Sequence, residues 1–243
     1  MPKRRIDLLV VERGLTETRE QAKTLVLAGE VLLNGMAARP GMMVDEAAAV
    51  SLAAPSRFVS RGGLKLEHAL DVFGLDVSGK TAADVGSSTG GFTDCLLKRG
   101  AARVYAIDAG CGQLDWHLRN DPRVVVMEGV NARFPLGLPE KVDLATVDVS
   151  FISATLVLPN VAAVLKAGGD VIVLIKPQFE AARKEAPRGV VKDPLVHAAV
   201  LGRFVKWAVE NGFRLRGLTA SPISGPAGNR EFLVLLRRGG VGA

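Results

Sequence analysis

The run Asp84-Val85-Gly86-Ser87-Ser88-Thr89-Gly90-Gly91-Phe92 decides the fold. Apolar residues lead into it from Thr81 as a strand. The small residues that follow demand a tight turn, and Gly91 opens a helix. Working outward, short apolar strands are expected at residues 81–86, 103–108, 124–128, 143–148, 170–176, 214–221 and 231–236. Helices are expected at 91–99, 114–120, 154–166 and 194–211. This alternation predicts an α/β doubly wound sheet. The last two strands follow one another with no room for a helix, so a terminal antiparallel hairpin and a seven-stranded mixed sheet are expected.

The 243 residues leave room for a second, smaller unit. With 48% hydrophobic and 23% charged residues the composition is that of a globular protein, which excludes disorder. No apolar run reaches the roughly 18 residues of a membrane span. The basic start at Lys3-Arg4-Arg5 has no apolar segment behind it, so no signal peptide is read and a cytoplasmic protein is expected. Cys95 and Cys111 make no paired motif, and His68, His117 and His197 are scattered, so no metal is expected. The net charge of +6 suits a polyanionic partner. Only 12 residues are aromatic, so a nucleic acid would be held through charge and shape rather than by rows of stacking rings.

The first 55 residues read as a separate small α+β unit. Thr18 and Gln21 form a capping box that opens a helix carrying Ala22, Leu25, Val26 and Ala28 toward a core. Val31-Leu32-Leu33-Asn34-Gly35-Met36 reads as strand, turn, strand. Residues 1–57 carry a net charge of only +1, against +5 for the remainder. Residues 56–62 are expected to link this unit to a second domain, residues 63–243.

Cofactor preference follows from two carboxylates. Asp84, inside the turn, would repel a pyrophosphate but can meet an ammonium, and Asp108 ends the next strand, where a carboxylate can hold ribose hydroxyls. A ligand with a cationic amino-acid end and an adenosine end satisfies both, which points to S-adenosylmethionine. Its expected contacts are Asp84, Gly86, Ser87, Ser88, Thr89, Gly90, Gly91, Phe92, Asp108 and Asp148. Asn131, beyond the third strand, suits either the adenine edge or a turn.

Asp148 and Lys176 fall at carboxyl ends of strands, where open α/β sheets bind ligands. Glu231 begins the last strand, and Lys65 lies in Ser60-Arg61-Gly62-Gly63-Leu64-Lys65. Together these four match the Lys-Asp-Lys-Glu tetrad of FtsJ-like ribose 2′-O-methyltransferases. The N-terminal run Arg5-Ile6-Asp7, Thr18-Arg19 and Gly29-Glu30-Val31 to Asn34-Gly35 resembles an S4 RNA-binding domain. With Val147-Asp148-Val149-Ser150-Phe151-Ile152-Ser153 and Ile175-Lys176-Pro177-Gln178-Phe179-Glu180, the pattern resembles the TlyA (hemolysin A-like) family over nearly the whole chain.

The resemblance implies a Rossmann-like fold and methylation of cytidine 2′-hydroxyls in 16S or 23S ribosomal RNA, free or in ribosomal subunits. It assigns Lys65, Asp148, Lys176 and Glu231 as catalytic. RNA contacts are expected at Arg4, Arg5, Arg19, Lys23, Arg57 and Arg61, and at Arg188 in the basic segment 183–192. The alternatives are a membrane-active haemolysin, for which no apolar or amphipathic cationic helix is found, a non-catalytic ribosome-assembly factor, and a small-molecule methyltransferase.

Overall fold

In the computed structural model, which describes residues 3–27, 29–52, 57–182, 185–186, 189–225 and 227–239, the expected alternation is laid out as one seven-stranded sheet. The chain divides into residues 1–57 and 58–243. Phe58 is buried in the larger unit and Gly62 starts its first helix, so residues 58–62 of the expected linker belong to that unit. Residues 55, 56 and Ala28 lie outside the described residues.

The small unit contains β1 (Lys3–Arg5), α1 (Ile6–Glu12), α2 (Arg19–Leu27), β2 (Val31–Leu33), β3 (Met36–Ala37), β4 (Met43–Asp45) and β5 (Val50–Leu52). Gln21 N–H donates to Thr18 Oγ1 and Thr18 N–H donates to Gln21 Oε1, both at 3.2 Å, which is the reciprocal capping expected at the start of α2. Asn34 and Gly35 turn β2 into β3, and β5 pairs on the other side of β2. Ile6, Leu9, Val10, Ala22, Val26 and Val31 close the core of this unit.

The larger unit runs α3 (Gly62–Phe73), β6 (Thr81–Val85), α4 (Gly91–Lys98), β7 (Arg103–Asp108), α5 (Trp116–Arg119), β8 (Val124–Glu128), β9 (Val142–Val147), a 3-10 turn at Ala154–Leu156, α6 (Leu158–Val164), β10 (Leu165–Ile175), α7 (Pro177–Glu180), α8 (Pro194–Glu210), β11 (Phe213–Ala220) and β12 (Phe232–Arg238). The strand order is β11-β12-β10-β9-β6-β7-β8, with β12 antiparallel to both of its neighbours and the rest parallel.

Residues of opposite parity in the strands feed two cores. Val85, Ile107, Val147, Val173 and Val234 pack with α6 and α8, while Ala82, Val104, Leu144, Ile172 and Leu233 pack with α3 and α4. Because the chain moves outward through β7 and β8 before returning to β9, the strand order reverses at β6 and β9. Open parallel sheets form their ligand crevice at such a reversal.

Candidate active site

The crevice is made by close approach of two loops. Gly86 has φ +85°, and a Cβ there would lie 2.4 Å from the Asp148 carbonyl oxygen, so no side chain fits. Asp148 N–H donates to Val85 O at 2.9 Å, and Gly86 N–H donates to Ile107 O at 2.8 Å. Gly90, also left-handed, sits against Leu114 and Leu118. Ser88 adopts φ +47° and donates its N–H to Asp108 Oδ2 at 2.8 Å, while Gly110 N–H donates to Oδ1 at 2.7 Å. The Asp108 carboxylate is thus fixed by two loops and half-exposed, with lone pairs left for ligand hydroxyls. Ser88 and Thr89 are exposed, whereas Ser87 is buried with its N–H on Ile107 O.

Two of the expected cofactor contacts are placed elsewhere. Asp84 lies within β6 and is fully buried. Thr93 Oγ1 donates to its Oδ2 at 2.7 Å and Thr146 Oγ1 donates to its Oδ1 at 2.8 Å. The carboxyl therefore braces the loop from behind instead of facing an ammonium. Burial pushes its pKa up to about 6, and the nearby charge of Asp148 adds to the rise. Phe92 is buried in the α3–α4 core. Gly91 backs onto Ser60 and Gly63 of the α3 start, with no room for a Cβ. Asn131 is exposed at a turn, where its Oδ1 accepts from Arg133 N–H at 3.0 Å.

The four charged residues of the tetrad form two ion pairs. Lys65, on α3, and Glu231, before β12, are both buried, with Nζ 2.5 Å from Oε2. Lys176, at the end of β10, places Nζ 2.6 Å from Asp148 Oδ1 and donates to Ser150 Oγ at 2.7 Å. Asp148 Oδ1 is buried and accepts no regular hydrogen bond among the described residues, so the ion pair meets it off the hydrogen-bonding line.

The loops carrying this second pair are tied again farther on. Ser153 Oγ donates to Glu180 Oε2 at 2.5 Å and Ala154 N–H donates to Oε1 at 2.7 Å. Sequence reasoning passed over Ser150, Glu180, Gln178 (whose Oε1 is buried without a partner among the described residues) and Phe151. Phe151 stands 89% exposed at φ +65°, with its ring 5.2 Å from that of Phe179. All four lie inside the two motifs already quoted, but only the folded loops show what they touch.

The cations expected to bind RNA are unevenly engaged. Arg4 pairs with Glu12 and Glu46, and Arg5 and Arg19 both pair with Asp7 at 2.9 and 2.8 Å. The Arg5 guanidinium, aided by Arg19, holds the Asp7 pKa down to about 2. Lys23 is exposed. Arg57 is exposed, and Arg61 donates to Ser224 O at 3.1 Å. Arg188 lies outside the described residues. No helix among the described residues is long and apolar enough to cross a membrane.

Comparison with known proteins agrees with this geometry. Residues 58–238 match the FtsJ-like methyltransferase family and residues 4–50 match the S4 domain. The chain is 44% identical over 239 residues to the 16S/23S rRNA (cytidine-2′-O)-methyltransferase TlyA of Mycobacterium tuberculosis, covering 96% of this chain and 89% of that one. It is 39% identical to hemolysin A of Brachyspira hyodysenteriae over 94% of this chain and 98% of that one. The solved structure of a Streptococcus thermophilus protein that bears the name hemolysin superposes with a TM-score of 0.78 and 47% identity, covering 98% and 90% of the two chains. A reversed-order sheet with a glycine-walled crevice, the Lys176–Asp148 pair beside it, an S4 match earlier in the sequence and the near full-length relatives identify the chain as a member of the TlyA family of FtsJ-like methyltransferases.

Proposed function

We propose that the protein transfers a methyl group to the 2′-hydroxyl of a cytidine in ribosomal RNA, within 30S or 50S subunits, and works in the cytoplasm. The family implies S-adenosylmethionine as cosubstrate, and the observation that carries the reading is the Lys176–Asp148 pair at the crevice. Asp108 suits the ribose hydroxyls of that cosubstrate, and the Gly86–Thr89 turn leaves backbone room beside it. When bound, the cosubstrate supplies an electrophilic sulfonium methyl.

The chain's own residues prepare the acceptor. A ribose hydroxyl is a weak acid, so its oxygen needs a hydrogen-bonding cation beside it and a route for its proton. Lys176 Nζ, held by Asp148 and Ser150, directs a hydrogen toward the 2′-oxygen and stabilises the charge that develops there as the hydroxyl proton leaves to solvent. Lys65 and Glu231, paired away from water, brace the backbone that keeps the ribose in register. Phe151 offers a ring face to the target base beside Ser150. The cations Arg4, Arg5, Arg19, Lys23, Arg57, Arg61 and Arg188 are proposed phosphate contacts.

The direct test incubates the protein with methyl-labelled S-adenosylmethionine and isolated 30S and 50S subunits. The expected product is label in an alkali-stable linkage at cytidine, since a methylated 2′-oxygen blocks alkaline cleavage. Label on a base, or label in neither subunit, would contradict the assignment.

A further inference from the structure

Nine Phe, two Trp and one Tyr make up the aromatic residues of the chain, and none of them lies in residues 1–57. Nine of the twelve are buried or half-buried in the larger unit. The three that stand exposed are Trp116 at 69%, Phe134 at 64% and Phe151 at 89%. Each lies just past the carboxyl end of a different parallel strand, β7, β8 and β9. Rings left over from folding would be scattered over both ends of the sheet. Here every exposed ring is at the end that holds the crevice.

Trp116 and Phe134 are tied closely to that crevice although neither serves the chemistry. Asp115 N–H donates to Thr89 O at 3.2 Å, which sets Trp116 directly beyond the glycine turn. Leu118, two residues along and so on the opposite face of α5, fills the space under Gly90 while the Trp116 ring faces water. Val130 N–H donates to Asp108 O at 2.9 Å, and the turn that follows is closed by Phe134 N–H donating to Asn131 O at 3.0 Å. Each ring has a cationic or imidazole neighbour in sequence: His117, edge-on to Trp116 at 5.2 Å, and Arg133, which is exposed and makes no ion pair among the described residues. A ring with a cation at its side suits a nucleotide, whose base has a π-face and whose phosphate is anionic.

We propose that Trp116 and Phe134 are stacking platforms for unpaired nucleotides of the RNA substrate that flank the target residue. The proposal rests on RNA being the substrate, and it assigns the two units different tasks. The small unit, which has no aromatic ring, meets the phosphate backbone. The rim of the larger unit receives bases that have left their helix. Paired RNA hides its base faces, so stacking of this kind selects single-stranded or splayed segments.

The test uses the full chain and a short unstructured oligocytidylate, with an RNA duplex of equal length as control and without cosubstrate. In Trp207→Phe protein Trp116 is the only tryptophan, and its fluorescence should be quenched by the oligocytidylate and not by the duplex. Trp116→Leu and Phe134→Leu keep apolar bulk but lose the ring face. Each should weaken oligocytidylate binding between about fivefold and a hundredfold, with duplex binding changed less than about twofold.

Equal losses for duplex and single strand, or no loss for either, would overturn the proposal. Quenching by S-adenosylmethionine alone to the same depth would also overturn it, because Trp116 would then belong to the nucleoside pocket. None of these readouts depends on turnover. An enzyme that fails to methylate ribosomal RNA refutes the proposed function, whereas an enzyme that methylates but shows no ring-dependent binding refutes only this inference.

Discussion

The two units use charge in opposite ways. In the small unit, Arg4, Arg5 and Arg19 rest on acids while staying in contact with water, so three of the seven acids that cancel its charge, Asp7, Glu12 and Glu46, also orient its arginines. In the larger unit the Lys65–Glu231 pair is shut away from solvent, and Lys176–Asp148 stands at the crevice. A surface pair gains little from its attraction because water already screens it, whereas breaking a buried pair leaves a bare charge in a low dielectric. The same kind of contact therefore orients the proposed RNA-binding surface in one unit and the proposed reaction site in the other.

The sharpest break in that contrast is at the buried pair. Lys65→Met should destabilise the larger unit by about 3–5 kcal/mol, since Glu231 is left buried without its counter-ion. Lys65→Met/Glu231→Gln should recover much of that loss in chemical unfolding while remaining inactive. A single variant as stable as the parent would show that the pair is open to water.

A smaller effect separates the two buried carboxyls. Asp84, raised to about 6, binds its proton more tightly in the folded chain, so its stabilising contribution is full below its ordinary 3.8 and is lost as pH rises through about 6. Asp7, lowered to about 2, behaves in the opposite sense: its contribution is full above 3.8 and is lost as pH falls toward about 2. Melting of Asp84→Asn protein should lose the decline between pH 4 and 6 that the parent shows, and Asp7→Asn should lose the acid-side decline. Unchanged profiles in both variants would refute the environments described for them.

The smallest stability effects belong to the surface arginines. Arg5→Ala and Arg19→Ala should each change unfolding free energy by no more than about 2 kcal/mol, because the other arginine still faces the buried Asp7. Each should nevertheless reduce the salt dependence of RNA binding by about one unit of log–log slope if it meets a phosphate. A large stability loss with an unchanged slope would make these arginines struts of the small unit only.

Much of this was legible from residue order. The alternation of short apolar strands with helices, the capping box at Thr18 and the hairpin of β11 and β12 are local signals, and the strands and helices they implied form within a residue or two of expectation at most ends. The exceptions are the helix expected from residue 154, which opens as a 3-10 turn so that α6 starts at Leu158, β10, which starts at Leu165, and the short α7 after Lys176. Residue order puts Asp84 and Phe92 at the cofactor because a carboxylate suits an ammonium and Phe92 belongs to the same glycine run. Their burial depends on Thr93 and Thr146, which arrive from other elements, and on the α3 helix, and no spacing within the turn reports that. The scarcity of aromatics argued against stacking, but a count carries no positions, and the three exposed rings gather at one end of the sheet.

Activation of a ribose hydroxyl by the crevice pair is the step on which the proposed function depends. It is tested most directly by comparing Lys176→Met with the parent enzyme, measuring S-adenosylmethionine binding by calorimetry and methyl transfer to ribosomal subunits on the same preparation. The expected result is cosubstrate affinity within a few-fold of the parent and a transfer rate lower by about a thousandfold. Transfer at the parental rate with intact binding would contradict it.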